Sequence, residues 1–197
     1  MSPPNRQRGF SLIEMLVGMT ILLLVMAGAL GLIVHNSRIN KSQQMAVAVQ
    51  SDARTCMSMM VQKLRTAGWD PTSAGIQVVR FDTTPGDGIE EIEVYADLDN
   101  DGVTTGSDEQ VLIRFISDRI EWRRSASGSY EILAAGISND ADGDGTIEPM
   151  FVPVIVAGPD GDRVVVQITA QSPAPDPMTG EPIRYTVRSE IALRKTL

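Results

Sequence analysis

Residues 10 to 34, FSLIEMLVGMTILLLVMAGALGLIV, form one apolar run whose only polar side chains are Ser11, Glu14 and Thr20. As a helix rising about 1.5 Å per residue it extends roughly 37 Å, enough to cross a hydrocarbon core of about 30 Å. No lysine or arginine interrupts it. The run therefore reads as a membrane-spanning helix. The preceding MSPPNRQRG carries Arg6 and Arg8, which by the positive-inside tendency hold the N-terminus in the cytoplasm, although His35, Arg38 and Lys41 beyond the run weaken that contrast. A secretory signal has a shorter apolar run of roughly 7 to 15 residues followed by its cleavage site, so cleavage after this run is the weaker reading. Glu14 stands out, because a carboxylate at the centre of a membrane helix costs about 2.5 to 3.5 kcal/mol. Near the start of the run it reaches the interface and faces the positive helix N-terminus. It is either an interfacial acid or an acid with a cationic partner.

The string Arg8-Gly9-Phe10-Ser11-Leu12-Ile13-Glu14-Met15-Leu16 resembles the class III prepilin signal of type IV pilins and type II secretion pseudopilins. The resemblance implies that a prepilin peptidase removes residues 1–9 by cutting after Gly9, methylates the new N-terminus at Phe10, and leaves the apolar segment in place. It also implies that Glu14 pairs with the Phe10 amine of a neighbouring subunit during assembly. Such a pairing neutralises two charges that are each costly to leave bare in hydrocarbon.

The helix continues beyond the membrane. Val49, Ala53, Cys56, Met57, Met60, Leu64 and Ala67 recur at helical spacing, while Gln50, Asp52, Arg54, Ser58, Gln62, Lys63 and Arg65 take the other face. No proline falls between positions 5 and 70, and Gly68 followed by Trp69-Asp70-Pro71 supplies a stop. One helix over about 10–66 is expected, with Gly28 and Gly31 as the places for a bend or loss of helix. The methionines and Cys56 on its apolar face read as core.

After the helix, short β-branched and apolar runs alternate with Gly, Pro, Asp and Ser clusters: Ile76 to Phe81, Ile89 to Ala96, Val111 to Ile116, Ile120 to Arg124, Tyr130 to Ala134, Phe151 to Val156, Val164 to Ala170 and Ile183 to Leu193. They predict an antiparallel sheet with one face on the helix stripe. Residues 171–182, QSPAPDPMTGEP, read as an exposed loop. The expected class is α+β. The expected parts are a leader (1–9), a transmembrane and filament-core helix (10–34), its amphipathic continuation (35–67) and a β-rich head (68–197). This layout is similar to the pilin fold. Leu64 to Pro71, LRTAGWDP, and the closing Val187, Ile191, Leu193 and Arg194 resemble PilW-like minor pilins and their J-type pseudopilin relatives. A lone Cys56 cannot close the C-terminal disulfide loop that is common in major pilins, which favours a minor pilin or pseudopilin.

The chain has 197 residues and a net charge of −8, with neither a basic stripe nor interleaved aromatics, which argues against nucleic-acid binding. Two loops account for the acidity. Residues 97–109 carry D-x-D-x-D-G and predict calcium ligands at Asp97, Asp99, Asp101, the carbonyl of Val103, and Asp108 or Glu109, because alternate aspartates before a glycine turn offer several oxygens to one centre. Residues 139–148 offer Asp140, Asp142, Asp144, the carbonyl of Thr146 and Glu148, with Phe151 where a twelfth-position acid would stand. The competing reading is a pair of solvated acidic turns.

With His35 as the single histidine, the usual catalytic triads fail, and no enzyme activity is expected. The expected role is a minor pilin at the inner membrane with a periplasmic head, partnered by major and minor pilins through the N-terminal helices, by prepilin peptidase and by membrane lipid, and carried into a pilus or its initiating tip. The alternative is a J-like pseudopilin of a type II secretion system. A tip adhesin using loops around 125–130 or 171–182 is compatible with the first.

Overall fold

The computed structural model describes residues 11–81, 89–154 and 163–193. Helix α1 runs unbroken from Leu12 to Thr66. Ser11 is its N-cap in extended conformation, and Ala67 is its C-cap, donating its N–H to the Leu64 carbonyl at 3.2 Å. Gly68 then adopts a left-handed conformation (φ +72) and donates to Tyr95 O at 2.8 Å, which turns the chain into the head. The single helix expected over about 10–66 is present, and no helix is lost at Gly28 or Gly31. Each glycine costs about 1 kcal/mol relative to alanine, and cooperative helical bonding on both sides outweighs that cost.

Every residue from Ser11 to Arg38 is exposed. From Ile39 on, one face is covered, first partly at Ile39, Ser42, Met45 and Ala46 and then fully at Val49, Ala53, Cys56, Met57, Met60, Leu64 and Ala67. The expected stripe is thus the buried stripe, and it begins three turns earlier than its fully apolar part. Burial pushes the Cys56 thiol up to about 12 and keeps it protonated.

Among the described residues eight strands follow: β1 Val79–Phe81, β2 Ile89–Tyr95, β3 Gln110–Ile116, β4 Arg119–Arg123, β5 Glu131–Ala135, β6 Phe151–Val154, β7 Arg163–Pro175 and β8 Pro182–Ala192. All pairings are antiparallel, but they make two sheets where one was expected, β1-β2-β3-β4-β5 and β6-β7-β8. The helix stripe packs mainly on β7 and β8, with smaller contacts to β5 and β2. Ile92, Val94, Val111, Ile113, Phe115 and Ile120 of the larger sheet join Val164, Val166, Ile168 and Ile191 of the smaller in one core with the helix residues. The sheets are stitched by an Ile137–Ala170 bridge and by Gln171 donating to Gly136 O at 2.7 Å. Tyr185 on β8 ties the head to the helix by accepting from Gln50 Nε2 (3.2 Å) and Arg54 Nη2 (3.1 Å).

The proline-rich stretch departs from expectation, because β7 continues to Pro175 and β8 begins at Pro182, leaving a loop of 176–181. A register shift between Gln171 and Pro175 removes the need for proline N–H donors. The Ser172 hydroxyl accepts from Ile183 N at 3.0 Å in place of a backbone partner. Residues 155 and 156 of the expected sixth strand, and Arg194 of the closing one, lie outside the described residues.

Candidate functional site

Gly9 and Phe10, the expected cleavage and methylation positions, lie outside the described residues. Two residues on, Ser11 and Glu14 form a reciprocal cap: Ile13 N–H donates to Ser11 Oγ at 3.4 Å, and Ser11 N–H donates to Glu14 Oε2 at 3.2 Å. The sequence signal for it was available as Ser-x-x-Glu ahead of an apolar run. Glu14 therefore has a partner within its own chain. Its carboxylate occupies the first turn of a helix 55 residues long, where the unpaired N–H groups favour negative charge.

The first acidic loop lies between β2 and β3 at the C-terminal end of α1. Its backbone is fixed by Asp97 N donating to Trp69 O at 2.7 Å and Ala96 N to Glu109 O at 2.9 Å. Of the expected ligands, the carboxylates of Asp97, Asp99 and Glu109 converge, with their oxygens within 4.8 Å of one another. Asp97 and Glu109 are buried, at 0% and 2% exposure. Glu109 accepts from the N–H groups of Leu98 (2.8 Å), Asp99 (3.1 Å) and Gly106 (2.6 Å). A side chain at Gly106 would meet that carboxylate and have to displace it from its three amides. Asp97 accepts from Asp101 N (3.1 Å), Gly102 N (3.0 Å) and Thr72 Oγ1 (3.3 Å).

Asp101 and Asp108 are engaged elsewhere. Asp101 Oδ1 accepts from Val103 N at 2.9 Å. Asp108, in a left-handed conformation (φ +67), turns to Lys63 Nζ at 3.1 Å. Of the pair Asp108 and Glu109, Glu109 is the residue that faces the cluster. Desolvation and then repulsion from Asp101, Glu109 and Asp97 raise the Asp99 carboxyl above its ordinary value.

The second loop follows the same plan with less burial. Asp140, Asp142 and Glu148 converge. Asp140 accepts from Gly143 N (2.7 Å) and Gly145 N (3.2 Å), and Glu148 accepts from Ala141 N (3.0 Å). Asp144 instead accepts from Thr146 N at 2.7 Å, and that hydrogen bond holds its carboxyl below the ordinary value. The loop hangs on buried Asn139, whose Nδ2 donates to Glu148 O at 2.5 Å and whose Oδ1 accepts from Thr169 N at 3.0 Å. Sequence reading missed Thr72 and Lys63, because nothing local to them marks a contact with a distant loop, and it gave Asn139, at the start of the second loop, no role.

In both loops the donor set is hard carboxylate oxygen, the type a calcium ion takes six to eight of. Glu109 Oε1 and Asp97 Oδ2 each already accept two hydrogen bonds, but Glu109 Oε2 and Asp97 Oδ1 accept one each and keep lone-pair capacity, so the residues fit a divalent cation in chemistry. They are equally suited to fixing their own turns.

Residues 4–30 match the family model of the Prokaryotic N-terminal methylation motif. No curated protein and no solved structure matches the chain. The motif covers the apolar run as far as Leu30 and both members of the Ser11–Glu14 cap, and it indicates a chain processed by prepilin peptidase and assembled with other pilins. It points to a structural subunit rather than an enzyme. With a long apolar helix on an antiparallel head, the motif supports a type IV pilin-like protein anchored in a membrane.

Proposed function

We propose that the protein is a minor pilin of the PilW-like kind, cut after Gly9, methylated at Phe10, held in the inner membrane with its head in the periplasm, and recruited into a type IV pilus or its initiating tip. One observation carries this reading. An apolar half-helix, exposed at every described residue to Arg38, is joined rigidly to a packed head, so the chain offers a surface that only lipid or other apolar helices can cover. Assembly is then packing: helices leave lipid for one another, and Glu14 exchanges its own-chain cap for the Phe10 amine of a neighbour.

Mass spectrometry of the mature N-terminus tests the processing, with methylated Phe10 expected. An intact Met1, or cleavage after residue 34, overturns it. Glu14→Ala is expected to be cleaved normally and to be lost from filaments. Recovery of the wild-type chain in surface pili supports the minor pilin, whereas a requirement only for protein secretion assigns it to the J-like pseudopilins.

The convergence of Asp97, Asp99 and Glu109, two of them buried, favours a second role for the first loop as a calcium site that locks the distal end of the head. Asp140, Asp142 and Glu148 form the weaker counterpart. Calcium is expected to raise the thermal midpoint by about 4 °C, and a chelator to reverse the gain. An unchanged melting curve removes the proposal.

A further inference from the structure

Just past the apolar run, α1 carries three cationic or titratable groups: His35, Arg38 and Lys41. No Asp or Glu occurs between Glu14 and Asp52. All three groups are exposed, and none has a hydrogen-bond or ion-pair partner among the described residues. By contrast, Lys63 farther along α1 and Arg80, Arg114, Arg119 and Arg124 of the head are each paired with an acid. Asp176, the buried carboxylate of the β7–β8 loop, is occupied by Met178 N (3.0 Å) and Thr179 Oγ1 (3.2 Å).

The three groups share one helix face with a groove lined by Leu30, Gly31, Val34, His35 and Arg38, and Lys41 follows Arg38 at i+3. Gly31 opens the groove, since nothing lies within 4 Å of where its side chain would stand. The lower end is apolar and the upper end cationic. At about 1.5 Å per residue, positions 35 to 41 lie roughly 2 to 10 Å beyond Val34, while the headgroup layer is about 5 to 8 Å thick.

We propose that this groove binds an anionic phospholipid of the surrounding bilayer, its acyl chain along Leu30, Gly31 and Val34 and its phosphate against Arg38 and Lys41 with His35 beside them. The inference rests on the membrane-spanning reading of α1 and goes beyond it by assigning a lipid class and the residues that select it. An amphipath with a negative head matches the order of apolar and cationic groups along the face, and a zwitterionic lipid would leave the cations without net compensation. The bound lipid would hold the helix at a fixed depth, with the loop 176–181 just above the headgroups.

The test uses the full chain in phosphatidylcholine vesicles containing trace spin-labelled phosphatidylglycerol or spin-labelled phosphatidylcholine, reading the fraction of each label whose motion the protein restricts. The wild type is expected to prefer phosphatidylglycerol by roughly threefold, with the preference falling toward unity in high salt. The Arg38→Gln, Lys41→Gln double variant is expected to show no preference while still restricting both lipids. Equal affinity of the wild type for the two lipids overturns the proposal, as does a preference that survives in the double variant. Equal wild-type affinity together with loss of self-association in the double variant would assign the groove to an acidic face of a second copy. Failure to restrict either lipid would overturn the spanning anchor itself, and the lipid site with it.

Discussion

The two halves of α1 are built from similar residues and live in different surroundings. Leu24 is 73% exposed and Leu64 is fully buried, yet each is a leucine in an unbroken helix. What differs is the pattern around them. The first half is apolar on every side and needs an environment, whereas the second is apolar on one side and needs a surface, which β7 and β8 supply. Apolar content alone does not say which helix is finished within the chain.

The sharpest way to break this comparison is to remove equal volume from each half. Leu64→Ala is expected to cost about 2 to 5 kcal/mol of head stability, and Leu24→Ala less than about 0.5 kcal/mol. Urea unfolding of the full chain in detergent micelles, followed by the fluorescence of Trp69 and Trp122, measures both. Comparable losses would mean that the head is not an independent folding unit.

A smaller effect separates the two acidic loops in the same way, one anchored and one open. Glu109 is buried and holds three backbone amides, so Glu109→Ala should destabilise the head by about 2 to 3 kcal/mol. Glu148 is half-buried and holds one, so Glu148→Ala should cost about 1 kcal/mol. The comparison is made by chemical unfolding in the presence of a chelator, so that only the loops' own hydrogen bonds are read. A larger loss at Glu148 would reverse the ranking of the two loops.

Acid should separate the halves of the helix without any mutation. Burial pushes the Glu93 carboxyl up, but hydrogen bonds from Tyr95 and Gln110 and the charge of Arg80 outweigh this and hold it below its ordinary 4.5. A depressed carboxyl binds its proton more weakly in the folded state, so its stabilisation is present above that value and is lost as the pH falls below it. The head should therefore weaken below about pH 4.5, while the apolar half, which has no carboxylate after Glu14, stays helical in micelles. Circular dichroism separates the two, and Glu93→Gln should flatten the acid branch of the head's transition. An acid branch of undiminished steepness in that variant would show that other carboxylates control it.

Much of the architecture was legible because it rests on periodicity. The stripe from Val49 to Ala67 follows from spacing alone, and the strands follow from alternation between turn residues. Partner choice was less legible. Alternation marks a strand without naming its neighbour, so the division into two sheets, made by contacts such as Gln171 with Gly136, could not be read. In the first loop, D-x-D-x-D-G identified the turn but not which carboxylates face inward. That is decided by the left-handed backbone at Asp108 and by Lys63, 45 residues earlier. Pro173 and Pro175 argued for a loop, and the structure keeps a strand there by shifting register around them.

The smallest expected effect tests why the bare half carries glycines at all. Gly31 lies in continuous helix, and an added methyl group would meet nothing within 4 Å in its own chain. Within one subunit, Gly31→Ala should therefore only help, by about 1 kcal/mol of helix stability, which would slow amide exchange around residues 28 to 34 by roughly fivefold without moving the head's unfolding midpoint. Hydrogen exchange of the full chain in micelles reads the first quantity and thermal unfolding the second. If exchange slows while filament incorporation or lipid selectivity falls, the space above Gly31 is used by a molecule outside the chain, and the glycine is kept for that contact at the expense of helix stability. If exchange slows and neither falls, Gly31 serves no contact, and the groove gains nothing from its missing side chain.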